Sequence, residues 1–363
     1  MLPWPNKMSD LERTAGSVIV CGFQGIEAPD VVLQWLGAQT VAGLILFKRN
    51  IDELEQARSL IASCHEASSS PLSLLMCVDQ EGGRVARFSE PILRLPPMRT
   101  LAAAGDPELT RGAAKGLGAQ LRALGINLDF APVLDVDTNP ANPVIGDRAF
   151  GSEPDTAIEH ALAFADGLHE GGVLSCGKHF PGHGDTDLDS HLALPTLRHD
   201  RERLDRVELA PFRAAVERIP SLMTAHVVFE ALDPGVPATM SSAVITELLR
   251  NEIGYEDAVF SDDLEMKAVS ERYAIEDAGV LAIEAGCDLL LVCSELDAAA
   301  RLRTTLVREA ERSQGFRRRL EEATRRANAL RGRIDTLPPP IPLENALDNP
   351  ELRAVKTRLQ LLE

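Results

Sequence analysis

LLMCVDQEGGR, residues 74–84, decides how this chain reads. An apolar run, Leu74–Asp79, stops on a carboxylate and passes at once into a glycine-bearing polar loop, Gln80–Arg84. So short a run, without helical spacing and ended by turn-forming residues, reads as a strand buried on both faces. The same pattern recurs at Ser17–Gly22, Ala42–Phe47, Leu128–Val133, Val173–Lys178, Ser221–His226, Ala258–Asp262 and Asp288–Val292. Helix-like stretches such as Asp155–Glu170 and Ile275–Gly286 separate most of them. Eight such strands alternating with helices predict an α/β fold, a single (β/α)8 TIM-type barrel over residues 1–335. The second run and the long stretch between the third and fourth are less regular, so one or two irregular strands are expected there.

The remainder reads as closure of that barrel. From Glu295 to Ile334 the chain is rich in Ala, Arg and Glu, with a break at Ser313–Gly315, which predicts two helices with solvated charged faces. Arg317, Arg318, Arg319, Arg325 and Arg326 are interleaved with glutamates, so they read as surface helix rather than as a nucleic-acid site. LPPPIP (337–342) ends any helix. Residues 336–363 are expected to form a Pro-rich linker and a short amphipathic tail packed on the barrel or a partner, with no second domain.

Composition narrows the function. The chain has 363 residues, 37 Lys+Arg against 55 Asp+Glu and a net charge of −18. That balance argues against nucleic acid and against an anionic membrane as partners. No run approaches the ~20 apolar residues of a membrane span. The N-terminus lacks the apolar core of a secretory signal, and the six cysteines show no CxxC spacing. A reducing cytoplasm and a monomer are the expectation, with buried thiols and no structural zinc.

In a barrel of this kind, chemistry stands at the C-terminal ends of the strands. Polar residues following the apolar runs include Asp79 and Glu81, Asp135 and Asp137, Lys178 and His179, His226, and Asp262 and Asp263. The densest segment is KHFPGHGDTDLDSH (178–191), a loop shaped by Pro181, Gly182 and Gly184. Its residues support three readings. The histidines and aspartates could bind a divalent metal. Asp189 and His191 could form a dyad in which the carboxylate orients the imidazole for proton transfer. The groups could also simply tie the loop to itself.

KHFPGHGDTDLDSH, VDQEGGRVARF (78–88), NPVIGDRAFG (142–151) and FSDDLEM (260–266) together resemble the motif blocks of the bacterial β-N-acetylglucosaminidase branch of glycoside hydrolase family 3, in order and at matching separations. The resemblance spans residues 17–333. It implies Asp262 as the nucleophile of a retaining double displacement, and His191 with Asp189 as the acid/base dyad. If the Asp262 segment is strand, its two aspartates should alternate faces, so that only one of Asp262 and Asp263 points into the barrel mouth. A loop-borne His191 is expected to move in once substrate binds.

The same resemblance implies substrate contacts at Asp79, Arg87, Arg148, Lys178 and His179, whose donors and acceptors suit sugar hydroxyls and an N-acetyl carbonyl. The plainer alternative is that Arg84 or Arg87 only pairs with Glu81 and that Asp79 only caps a turn; His183 is expected to structure the loop. No cofactor and no metal is required. Aromatic residues are only 4% of the chain, which favours a short exo-acting pocket over a stacking platform. By analogy with recycling enzymes the substrate is expected to be a small oligosaccharide or muropeptide from peptidoglycan. Rival readings are a β-N-acetylglucosaminide phosphorylase, a β-glucosidase of the same family, a metal-dependent hydrolase and a non-catalytic sugar-binding protein.

Overall fold

The computed structural model describes residues 9–190 and 194–362. Among the described residues eleven strands run in chain order: β1 (Ile19–Cys21), β2 (Gly43–Leu46), β3 (Leu75–Val78), β4 (Leu128–Asp129), β5 (Leu174–Ser175), β6 (Gly177–Phe180), β7 (Thr196–Leu197), β8 (Ser221–Thr224), β9 (Val228–Phe229), β10 (Ala258–Asp263) and β11 (Leu289–Val292). Nine of them form one sheet in the order β5-β4-β3-β2-β1-β11-β10-β8-β6, every neighbour parallel. Only Cys176 separates β5 from β6, so the two ends of the sheet are one stretch of chain. The sheet therefore closes into a barrel of eight staves, as the eight apolar runs require. β7 and β9 form a separate parallel pair.

The irregularity falls elsewhere than expected. β2 pairs cleanly with β3 over Gly43–Leu46. The broken staves are the fourth and fifth: β4 stops after Asp129, and Pro132, which has no N–H to give, follows shortly. The fourth-to-fifth contact continues through the Lys178 N–H to the Pro132 carbonyl, 3.1 Å, and the Cys176 N–H to the Ala131 carbonyl, 2.8 Å.

Alternation along the strands makes two cores. Val20, Ile45, Cys77, Phe130, Met223, Phe260 and Leu291 pack inside the barrel, where the Phe130 and Phe260 rings meet edge to face at 5.2 Å. Ile19, Leu44, Leu46, Met76 and Val78, one position out of step, pack under the surrounding helices. The interior is continued at its N-terminal end by Ala327 and Leu330 from the helix Gln314–Arg333 and by Ile334. Arg331 holds that helix there by donating to the Ser73 and Leu72 carbonyls ahead of β3, at 2.8 and 3.0 Å. Filling the lower barrel in this way leaves only the C-terminal mouth open for a site.

The break between the two closing helices is at Ser313, whose hydroxyl accepts the Phe316 N–H at 3.2 Å. Arg319 pairs with Asp288 at 2.7 Å and Arg317 with Glu321 at 3.2 Å, so these arginines are engaged within the chain. The last helices, Leu343–Leu347 and Pro350–Leu359, lie on the helix Pro107–Leu124, which Gly112 and Gly116 make flat enough to receive Val355 and Leu352. Among the described residues no helix is long and apolar enough to cross a membrane.

Candidate active site

A cavity of about 340 Å³ opens at the C-terminal ends of the strands. Ile45, Phe130, Met223 and Leu291 floor it, and the barrel interior continues beneath them. Above this apolar floor stand the polar groups that follow the strands, so the burial that builds the barrel also sets the low dielectric of the site.

The centre of the polar layer is an ion-pair network. Lys178 Nζ lies 2.8 Å from Asp79 and 2.6 Å from Glu81. Arg148 donates Nε to Glu81 Oε2 at 2.8 Å and Nη2 to Oε1 at 2.7 Å. Arg87 donates to Asp79 at 3.1 Å, its guanidinium 5.2 Å from the centre of the Phe47 ring. Burial favours the uncharged forms of Asp79 and Glu81, but the facing Lys178 with Arg87 or Arg148 outweighs it and holds both below the usual carboxylate range. The same carboxylates hold the Lys178 ammonium charged against its own burial. Asp79, Glu81, Lys178 and Arg148 thus stay ionised in a largely buried layer, presenting fixed donors and acceptors to a polyhydroxylated ligand.

His179 is fixed from below. Its Nδ1 lies 2.7 Å from Asp135 Oδ2, while Asp135 Oδ1 accepts the backbone N–H of His179 at 3.2 Å and of His183 at 2.6 Å. With Nδ1 donating to the carboxylate, Nε2 is the atom left for a ligand. His183 bonds Thr186 through Nδ1 at 2.7 Å and Ser190 through Nε2 at 2.9 Å, and burial pulls its pKa down to about 4, so it serves the loop as a neutral ring. Asp185 pairs with His199, and Asp189 lines the cavity. His191 lies outside the described residues.

On the opposite wall, β10 brings Asp262 and Asp263 to the rim. Strict alternation fails here. β10 shifts register against β11 between Phe260 and Asp263, and both aspartates line the cavity. Their environments still differ. Asp262 Oδ1 accepts the Asp263 N–H at 2.8 Å. The Asp263 carboxylate turns to the backbone, accepting the Glu265 N–H at 3.1 Å and the Cys293 N–H at 3.3 Å, and burial pushes its pKa up to about 7. Among the described residues no group of three metal-ligating side chains gathers.

The profile of the Glycosyl hydrolase family 3 N terminal domain matches residues 7–328. The chain belongs to glycosyl hydrolase family 3. It is 42% identical over 287 residues to a beta-hexosaminidase of Alkalilimnicola ehrlichii, covering 77% of this chain and 81% of that one. Among solved structures, a family 3 β-N-acetylglucosaminidase from Paenibacillus sp. str. FPU-7 superposes with a TM-score of 0.90 at 39% identity, covering 98% of this chain and 69% of that one. NagZ from Neisseria gonorrhoeae, solved with N-trifluoroacetyl-D-glucosamine, gives a TM-score of 0.80 at 32% identity, with 96% and 97% covered. The chain is thus a glycoside hydrolase, and its kin are the β-N-acetylhexosaminidases of the family.

The family blocks read from the sequence fold to one rim. Asp79, Arg87, Arg148, Lys178, His179, Asp189 and Asp262 all line the same cavity, though they are drawn from four separate segments. The alternative pairing of Glu81 with Arg84 or Arg87 does not form: its partners are Arg148 and Lys178, whereas Arg84 reaches Asp147 at 3.1 Å and Arg87 reaches Asp79. Glu81 and Asp135 were missed as organisers of the site. The only sequence signal for them was their position just past the third and fourth apolar runs. Phe47, at the end of the second apolar run, was missed as part of the cavity wall.

Proposed function

We propose that this family 3 hydrolase is a retaining exo-β-N-acetylglucosaminidase that removes terminal, non-reducing β-linked GlcNAc from short peptidoglycan fragments. The observation that carries the reading is the meeting, in one cavity sized for a sugar ring, of Asp262 with the buried Asp79–Lys178–Glu81–Arg148 array. In this reading Asp79, Arg87, Arg148, Lys178 and His179 hold the hydroxyls and the N-acetyl group. Asp262 attacks the anomeric carbon and forms a glycosyl-enzyme while His191 protonates the departing oxygen. Water deprotonated by His191 then releases the sugar with retained configuration, and Asp189 steadies the imidazolium. Residues 1–335 act as the catalytic unit and 336–363 as a brace against it. The cytoplasm is the compartment in which six buried, unpaired thiols persist reduced.

The test is turnover of an aryl β-N-acetylglucosaminide in phosphate-free buffer with EDTA, by wild type and Asp262→Ala. Release by wild type alone supports the reading. Equal release by both, or none by either, rejects it. A repeat in phosphate buffer should still yield free GlcNAc; GlcNAc 1-phosphate would make the protein a phosphorylase.

A further inference from the structure

The wall that carries Asp262 lacks part of its sheet. β8 and β10 pair at Ala258–Ser221, Val259–Leu222 and Phe260–Met223, and there the ladder ends. On its other side β10 advances by three residues, Phe260 to Asp263, while β11 advances by two, Leu289 to Leu291. The bulge lifts Ser261 and Asp262 out of regular pairing, and a bulged strand end is free to rotate unless other donors replace the missing bonds. On the β11 side they are replaced: the Leu291 N–H reaches Ser261 Oγ at 3.0 Å, the Cys293 N–H reaches Asp263 Oδ1 at 3.3 Å, and the Leu264 N–H reaches the Leu291 carbonyl at 3.1 Å.

On the β8 side the substitute is a side chain. His226, two residues past the end of β8 and fully buried, places Nε2 2.9 Å from the backbone carbonyl of Asp263. A carbonyl only accepts, so Nε2 carries the proton. Nδ1 lies 2.8 Å from Thr239 Oγ1, which is itself 2.8 Å from Thr224 Oγ1. Thr239 Oγ1 also donates to the Ala225 carbonyl at 3.1 Å, so Thr239, anchored to the strand end and to Thr224, holds the Nδ1 edge of the ring in place. The N–H of the same Asp263 whose carbonyl His226 holds is the donor to Asp262 Oδ1, at 2.8 Å. One residue's backbone is therefore gripped at both ends, by the imidazole on the carbonyl and by the Asp262 carboxylate on the amide. Asp263 cannot turn without moving the plane of the Asp262 carboxylate.

We propose that His226 is a positioning residue for the nucleophile: its Nε2–H stands in for the missing β8–β10 ladder bond and, through the Asp263 backbone, fixes the Asp262 carboxylate for attack. His226 does not line the cavity, so its effect falls on the chemical steps rather than on sugar binding. The inference rests on Asp262 being the nucleophile.

The experiment compares wild type, His226→Leu and His226→Gln for kcat on an aryl β-N-acetylglucosaminide, for competitive inhibition by free GlcNAc, and for melting temperature. Leucine fills the space without a donor, whereas glutamine restores an N–H near the position of Nε2. The expected result is a fall in kcat of roughly 30-fold or more for His226→Leu, with GlcNAc inhibition within about twofold of wild type, and recovery to within about fivefold in His226→Gln. Three results would overturn the proposal: a His226→Leu kcat within about threefold of wild type, a loss of GlcNAc inhibition as large as the loss of kcat, or a His226→Gln no better than leucine. If His226→Leu does not fold, His226→Gln decides alone: kcat within about fivefold of wild type with GlcNAc inhibition unchanged supports the proposal, and a larger fall overturns it. Failure of wild type to turn over the substrate, or full activity of Asp262→Ala, would instead sink the functional reading beneath it.

Discussion

Arg148 holds Glu81 by both carboxylate oxygens, at 2.8 and 2.7 Å, in a layer where both side chains are nearly inaccessible to water. Glu81 also holds Lys178, so it anchors two of the cations assigned to substrate without being assigned to substrate itself. Replacing it with glutamine leaves two buried cations short of a counter-charge, a loss of about 3–5 kcal/mol for a broken buried pair. Glu81→Gln is expected to lower stability in urea titration by that order and to raise KM by about tenfold or more, because Arg148 and Lys178 lose their aim. The double variant Glu81→Gln with Arg148→Met should be less damaging than the sum of its parts by at least ~1 kcal/mol, the signature of a shared interaction. Additive losses would mean the two residues act separately.

Asp129 is a different kind of buried carboxylate. Oδ1 accepts the Gln80 N–H at 2.8 Å, but Oδ2 has no hydrogen-bond partner, and burial pushes the pKa from 3.8 up to about 8. A raised acid penalises folding wherever the unfolded chain has ionised and the folded one has not. Below the ordinary carboxylate value the folded and unfolded chains are alike, and as pH climbs towards 8 the unfolded chain ionises freely while the folded one resists. Asp129→Asn cannot ionise and keeps an acceptor for Gln80. It is expected to match wild type near pH 4 and to be more stable by the order of a few kcal/mol at pH 8, read from melting curves across that range. A stability difference that does not grow with pH would show that Asp129 titrates normally.

These residues mark how far the sequence could be read. The eight staves were legible because a strand buried on both faces leaves an apolar run that no helix spacing imitates, and the rim residues because they follow those runs. Glu81 was visible as a rim carboxylate, yet its partner was sought at Arg84 or Arg87, close along the chain. Its true partners, Arg148 and Lys178, come from other staves, and only barrel closure brings them near. The pairing of His179 with Asp135 was hidden for the same reason. The bulge in β10 left no mark at all in FSDDLEM, so a period of two put Asp262 and Asp263 on opposite faces. His183 was legible as a loop-former because prolines and glycines around it already declared a shaped loop.

Asp135 provides the acid side of the pH argument. It is fully buried, and although burial alone would raise its pKa, His179 and the His183 N–H outweigh that and lower it. Asp79 and Glu81 are lowered too, by Lys178 with Arg87 or Arg148. A depressed carboxylate contributes stability above its ordinary pKa and loses it as pH falls, so wild type is expected to lose stability below about pH 4. In Asp135→Asn the amide oxygen can keep the two backbone N–H donors, but the amide NH2 then faces His179 Nδ1, which removes the charge beneath the ring and forces the imidazole into the other tautomer. The variant is expected to lose about 2–4 kcal/mol near pH 7, to show a shallower decline on acidification, and to bind GlcNAc more weakly as His179 comes loose. An acid limb in melting curves as steep as that of wild type would remove Asp135 from the account.

The tail offers a test far from the chemistry. Leu352 is 3% exposed and seats over Gly116, where an added Cβ would come within 2.8 Å of its Cδ1; Lys115 and Glu351 pair beside it at 2.7 Å. The surface ion pair contributes little, so the contact depends on the leucine. Leu352→Ala should cost about 2–4 kcal/mol, the range for a buried leucine whose cavity cannot fully collapse. Gly116→Leu should release the tail by the opposite route, pushing Leu352 off the helix, and expose the chain beyond Pro338 to limited proteolysis. Because the helix Pro107–Leu124 stands outside the rim, kcat and KM of the folded fraction are expected to stay within about twofold of wild type in both variants. A fall in kcat at full folding would tie the tail to the active site and end its reading as a brace.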